Sequence, residues 1–347
     1  MDDELTSREK TVLRYVVRDF IETATPVGSR YISKRHEAEL GLSSASVRNV
    51  LSDLEERGFI DHPHTSAGRV PTDLGYRKYL DSLMELERVS LKDQQTIRTN
   101  LETAEDTERV LREVSRVLGR ISRQLCIIVP PSMTSGKFEK LELVPLPGNR
   151  LMIVISIASG LVRTIMMEVA SEIPREKLND LSRSLNERLS GLLLSEIRET
   201  FVERIKTIQD DDTGLIRLFI ESVDKLFKPQ SSQTVHIGGT GDILAQPEFV
   251  NAEDFRSVIE LVNNEEMIIH ILEKQTTSGH GVNITIGKEN PEERLHPYSV
   301  ITSPYNAHDA QGSIGVIGPR RMPYYRIIPL LDYVARTVSE LFLTNPQ

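Results

Sequence analysis

The hydrophobic repeat of this 347-residue chain changes period several times, and that succession narrows the fold more than any single motif. Up to about Ser122, apolar residues recur at threes and fours, the spacing of one helix face. "LCIIV" (125–129) then reads as a buried strand. "FEKLELVPL", "RLMIVISI" and "LVRTIMMEV" follow as a meander, separated by "PGN" and "ASG" turns. From Pro174 to about Phe227 the pattern is helical again, broken near "DDDTG". Strands return at "TVHIG", "GVNITIG", "YSVITSPY" and "GSIGVIG", with helices near 252–275 and a closing helix from Pro323 to Phe342. Sheet, helices, sheet is the order of an α+β domain interrupted by a mostly helical insertion.

A separate segment precedes this domain. Thr6 and Glu9 form a T-x-x-E capping box, and Leu13, Val16, Val17 and Phe20 make one apolar stripe. "TPVGSR" breaks that helix; a second is predicted over Ser29 to Arg35, and Ser43 caps a third that ends at Gly58. "GFIDHPHTSAGRVP" reads as a small hairpin, after which Thr72 caps a helix whose Tyr76, Tyr79, Leu80 and Leu83 face inward. Three short helices and a hairpin in this order predict a winged helix-turn-helix. Between Glu85 and Ser122, Glu108 interrupts a coiled-coil pattern, leaving a connecting segment and a helix lying on a sheet.

The third helix carries the candidate site. With 100° per residue, Val47, Val50, Leu51 and Leu54 fall on one face, which predicts the core side. Ala45, Asn49 and Ser52 fall opposite, flanked by Ser46 and Arg48. That face suits the major groove. Asn bonds adenine in bidentate fashion, Arg does so with guanine, Ala touches the thymine methyl, and Ser44 near the helix start can hold a phosphate. In the hairpin, His64, Thr65, Ser66 and Arg69 are placed to meet the adjacent backbone or minor groove, with Gly68 permitting close approach. The bland alternative for Arg69 is a surface pair with Asp61 or Asp73. A net charge of −9 argues against nucleic acid only superficially: residues 1–80 carry 12 Lys and Arg against 13 Asp and Glu, the remainder 30 against 38. The acidity lies mostly away from the candidate site, and local charge governs phosphate binding.

"PVGSR", "LSSASVRN", "DLEERGFI", "PHTSAGRVPTDLGYRKYLDSLM" and, near the C-terminus, "GSIGVIGPRRMPYYRIIPLLDYV" closely resemble the heat-inducible transcription repressor HrcA family. The resemblance implies repression of chaperone operons by a homodimer on an inverted-repeat operator in double-stranded DNA, with activity dependent on a GroEL-type chaperonin. It also implies a multidomain α+β fold. Residues 1–84 would be a winged helix-turn-helix and 85–104 a connecting segment. Residues 105–171 with 246–347 would form a GAF-like α+β domain, and 172–245 an inserted dimerising domain. Family members commonly carry an acidic residue and Met after "RN"; Val50 and Leu51 stand here, on the inward face.

Other motifs read more plainly. His62 and His64 flank Pro63 without a third ligand in view, so phosphate contact or solvation is expected rather than metal. "HIGGTGDI" (236–243) lacks the Lys-Ser/Thr of a phosphate-binding loop and the spacing of a dinucleotide fingerprint, so it reads as a turn ending a strand. No nucleophile or acid/base set suggests an enzyme, and no cofactor or metal is expected. Lone Cys126 reads as a buried small hydrophobe. The N-terminus lacks the build of a signal peptide and no run reaches membrane-spanning length, so the cytoplasm is expected and a membrane partner is not. The competing function is a winged-helix regulator whose GAF-like domain senses a small molecule; strands rich in Ile, Val, Leu and Met favour a filled interior over a pocket.

Overall fold

The computed structural model describes residues 4–63, 68–104, 106–131, 136–158, 162–206, 214–227, 235–249, 252–276, 281–307 and 310–344. The chain starts with helices α1 (Ser7–Thr23), α2 (Ser29–Arg35), α3 (Glu37–Leu40) and α4 (Ser44–Glu56), then strands β1 (Ile60–Asp61) and β2 (Val70–Pro71), then α5 (Asp73–Ser82). The Thr6–Glu9 capping box is present, and Ser43 and Thr72 accept backbone N–H bonds at the starts of α4 and α5. The one-turn α3 was absent from the sequence expectation.

The segment expected to connect, 85–104, contains α6 (Leu91–Glu102), whose buried Ile97 and Leu101 pack it on α7 (Thr107–Ser122). Next come β3 (Leu125–Val129), β4 (Phe138–Leu146), β5 (Arg150–Ile157) and β6 (Val162–Glu168). Helices α8 (Arg175–Leu189), α9 (Leu194–Ile205), α10 (Leu215–Glu221) and α11 (Val223–Phe227) follow. The chain ends with β7 (His236–Gly238), α12 (Thr240–Leu244), α13 (Ala252–Val262), α14 (Glu265–Thr276), β8 (Asn283–Ile286), β9 (Tyr298–Ala307), β10 (Ala310–Pro319) and α15 (Tyr324–Thr344). The mixture of helix and sheet makes this an α+β protein.

Two compact units emerge. The first comprises 1–128, 236–303 and 314–334; the second comprises 129–235, 304–313 and 335–347. The second is built on the antiparallel sheet β4-β5-β6. Leu151, Ile153, Ile155 and Ile157 alternate inward along β5 and share one core with Leu185, Phe201, Phe219 and Phe227 of the helices. The first contains most of a five-stranded sheet in the order β7-β3-β10-β9-β8. The meander reading holds for β4 to β6. All five residues of β3 are buried, and it pairs with β7 and β10 instead.

The glycines of "HIGGTGDI" serve packing. A Cβ on Gly238 would sit 2.1 Å from the Ser115 carbonyl oxygen of α7, and one on Gly239 2.0 Å from that of Gln124. Gly239 is also left-handed, at φ +79°. The turn is thus where α7 closes onto β7, and the chain then enters α12 rather than a plain loop. Cys126 is fully buried, which pushes its thiol up to about 12. Among the described residues no helix is long and apolar enough to cross a membrane.

Candidate nucleic-acid interface

The helix α4 is held from beneath and open above. Val47, Val50, Leu51 and Leu54 are buried against α1 and α2, as the helical spacing requires. Ala45, Arg48, Asn49 and Ser52 are exposed, and Ser44 and Ser46 are half-buried. No side-chain hydrogen bond or ion pair engages Arg48 or Asn49 among the described residues. The serines are busier. Ser43 Oγ accepts from the Ser46 backbone N–H at 3.2 Å and lies 3.0 Å from the Ser46 hydroxyl. Ser44 Oγ lies 3.3 Å from Ser29 Oγ, so the starts of α2 and α4 meet at one place.

Beneath this surface sits a polar knot. Asp19 of α1 is fully buried, with one carboxylate oxygen 3.0 Å from His36 Nε2 and the other 3.4 Å from Arg35 Nε. Tyr15 stacks on the His36 ring at 3.7 Å. These contacts fix the end of α2 on α1, and through α2 they set the seat of α4.

Strands β1 and β2 pair antiparallel, Ile60 with Pro71 and Asp61 with Val70. Arg69 extends the ladder by two backbone hydrogen bonds with Val27, at 2.8 and 2.9 Å. Here the role expected of Gly68 changes. A Cβ there would lie 2.6 Å from the backbone of Pro26 and Val27, so the glycine is required by the protein's own packing. His64, Thr65 and Ser66, at the expected tip of the hairpin, lie outside the described residues.

Arg69 does reach α4, but with a partner that the sequence did not suggest. Its guanidinium donates to Glu55 at 2.6 Å, with the side chain 25% exposed. Asp61 neighbours His62, and Asp73 takes Arg320. Glu55, Asp61 and His62 bring potential ligand atoms within 4.8 Å of one another, the cluster that sequence reading could not see around His62. Glu55, however, spends one oxygen on Arg69 and the other on His62, so both of its oxygens are already engaged within the protein.

Comparison with known proteins converges. Residues 108–328 match the family model described as the HrcA protein C terminal domain. The chain is similar to the heat-inducible transcription repressor HrcA of Chlorobium phaeobacteroides strain BS1, 38% identical over 350 residues that cover 98% of this chain and 99% of that protein. The corresponding repressor of Chlorobium luteolum is 39% identical over 345 residues, 96% of each. Among solved structures, the crystal structure of a hypothetical protein is similar with a TM-score of 0.58 at 25% identity, covering 98% of this chain and 99% of that one.

Proposed function

The chain belongs to the HrcA family of heat-inducible transcription repressors, and from that premise we propose that it silences chaperone operons by placing α4 in the major groove of an inverted-repeat operator. One observation carries this reading: the outward face of α4 presents Arg48 and Asn49 exposed and, among the described residues, unengaged, beside Ala45 and Ser52. Those residue types hold the hydrogen-bonding and methyl-contact patterns that the major groove distinguishes. Ser44 and Ser46, at the helix start, are assigned to phosphate. Residues 1–84 act as the winged helix-turn-helix, with His64, Thr65, Ser66 and Arg69 as its wing. Residues 105–171 and 246–347 act as the GAF-like domain, and 172–245 as the dimerising insertion. An inverted repeat requires two heads related by a dyad, hence a homodimer acting in the cytoplasm.

Control through a GroEL-type chaperonin fits a repressor whose folded fraction is the regulated quantity. A few kcal/mol of stability suffice for heat to shift that fraction, and damaged proteins that occupy the chaperonin would leave operators vacant. Footprinting on the chaperone promoters of the source genome tests the proposal. Two protected half-sites, lost on heating and restored by chaperonin, are expected. Full occupancy through heat shock without chaperonin would end the folding account, and absence of protection would end the operator account.

Arg69 gives a finer test of the wing. Substitution by alanine frees Glu55 and is expected to cost about 1 kcal/mol of stability, the upper range for partly exposed pairs. Operator and random DNA should then weaken together, with the salt slope falling by about one per wing, if the guanidinium leaves Glu55 for a phosphate. A loss that depends on flanking A·T content would place it in the minor groove. Unchanged affinity across salt concentrations would confine Arg69 to holding the hairpin.

A further inference from the structure

We propose that the cavity bounded by α1, β2, α5 and the segments around Tyr298 and Arg320 binds a small aromatic carboxylate. The cavity has a volume of about 340 Å³, within the range of small-molecule sites. Its apolar wall includes Phe20, Phe249 and Tyr298, the last two stacked with centroids 6.1 Å apart. Tyr76 also lines it, 2% exposed, and its hydroxyl has no hydrogen-bond partner among the described residues.

Buried hydroxyls are nearly always satisfied, and the neighbours of Tyr76 obey that rule. Tyr298 meets the Ser257 hydroxyl, and Tyr324, with its ring 6.0 Å from that of Tyr76, bonds Ser299 and the Arg320 carbonyl. Tyr76 alone of the three is left open. Burial holds its phenol well above the ordinary value, so it stays protonated and needs an acceptor. Arg321 is spent on Glu248 and the Ile21 carbonyl. Arg320 gives one N–H to Asp73 at 2.8 Å and is half exposed, leaving donors for a carboxylate. One phenol donor, one guanidinium edge and an aromatic wall together specify an aryl acid.

Val70 and Pro71 of β2 line the same cavity, so an occupant touches the root of the hairpin. This coupling rests on the DNA-binding reading above; the ligand site itself does not. If the hairpin meets DNA, ligand and operator must change each other's affinity by the same factor.

The test uses the full-length protein with benzoate, phenol and acetate as probes, followed by ligand-detected NMR and thermal unfolding. Benzoate should bind saturably with a millimolar or tighter Kd, as about nine heavy atoms allow, and more tightly than phenol or acetate. Tyr76→Phe and Arg320→Gln should each weaken it about tenfold or more. Tyr76→Phe without ligand should unfold no lower than wild type, since the removed oxygen bonds nothing. Absence of saturable benzoate binding, or equal binding by both variants and wild type, would overturn the site. Earlier unfolding of Tyr76→Phe would mean that the hydroxyl serves structure, with a buried water as its partner, and would also overturn it. Promoter DNA that leaves benzoate affinity unchanged would overturn the coupling. Failure of the ligand-free protein to bind promoter DNA would overturn the functional reading and leave the benzoate result standing.

Discussion

Replacing Asp19 by alanine is expected to destabilise the N-terminal helices by about 1–3 kcal/mol, the usual cost of leaving a buried hydrogen-bonding group without its partner. The carboxylate is fully buried and faces His36 Nε2 at 3.0 Å and Arg35 Nε at 3.4 Å. Arg35 retains Glu22 at 2.5 Å, but His36 stays packed on Tyr15 without its acceptor. One oxygen of Asp19 has no hydrogen bond in the native protein, so the carboxylate already carries part of its desolvation cost. That predicts a partial rescue: in Asp19→Leu with His36→Leu, well-packed apolar groups should recover much of the loss. Native-state hydrogen exchange of α2 and α4 amides measures the effect locally, which matters in a chain with two compact units. Unaltered protection in Asp19→Ala would show that the knot does not hold α2.

The residues that the sequence revealed and those that it hid differ in the range of their interactions. Caps are local: Thr6, Ser43 and Thr72 each answer a backbone N–H three residues away. Periodicity is nearly as local, so β4 and β5 fall where the alternation put them, and β3 where the continuous apolar run did. Pairing is not local. Nothing in "LCIIV" announces that it leaves "FEKLELVPL" and joins a strand beyond the inserted helices, because both partners are apolar and register comes from the surrounding layers. A charge on a core face is hidden for the same reason. Asp19 lies between Val16, Val17 and Phe20, and its partners His36 and Arg35 arrive from the end of α2.

Within the candidate site the same division holds. The exposed and buried faces of α4 follow from 3.6 residues per turn. The partner of Arg69 depends on a hairpin bringing it to the last turn of α4, so Glu55 displaced the sequence-near Asp61 and Asp73. Gly68 illustrates a different limit. Its position in the string was conspicuous, yet the reason is contact with Pro26 and Val27 in the turn between α1 and α2. Tyr76 was correctly read as inward-facing, while its unpaired hydroxyl became visible only with the neighbours in place.

Alanine at Arg48 or Asn49 is expected to abolish much of the preference for operator over random DNA while leaving the fold intact. Each bidentate base contact contributes about 1–3 kcal/mol of discrimination, so a dimer that loses two symmetric contacts should weaken by about 2–6 kcal/mol on operator. The cost on random DNA should be much smaller, because non-specific binding draws on phosphates rather than base edges. Stability should stay within about 0.5 kcal/mol of wild type, since both side chains are exposed and neither forms a pair among the described residues. Titration of both DNAs at matched salt reads the difference directly. If the two variants weakened operator and random DNA equally, with a shallower salt slope, Arg48 and Asn49 would be phosphate contacts. The base-reading face would then have to be sought elsewhere on α4 or in the hairpin. If each variant instead relaxed a single position in both half-sites, the register of α4 in the groove would follow, since Arg48 and Asn49 are adjacent and point about 100° apart.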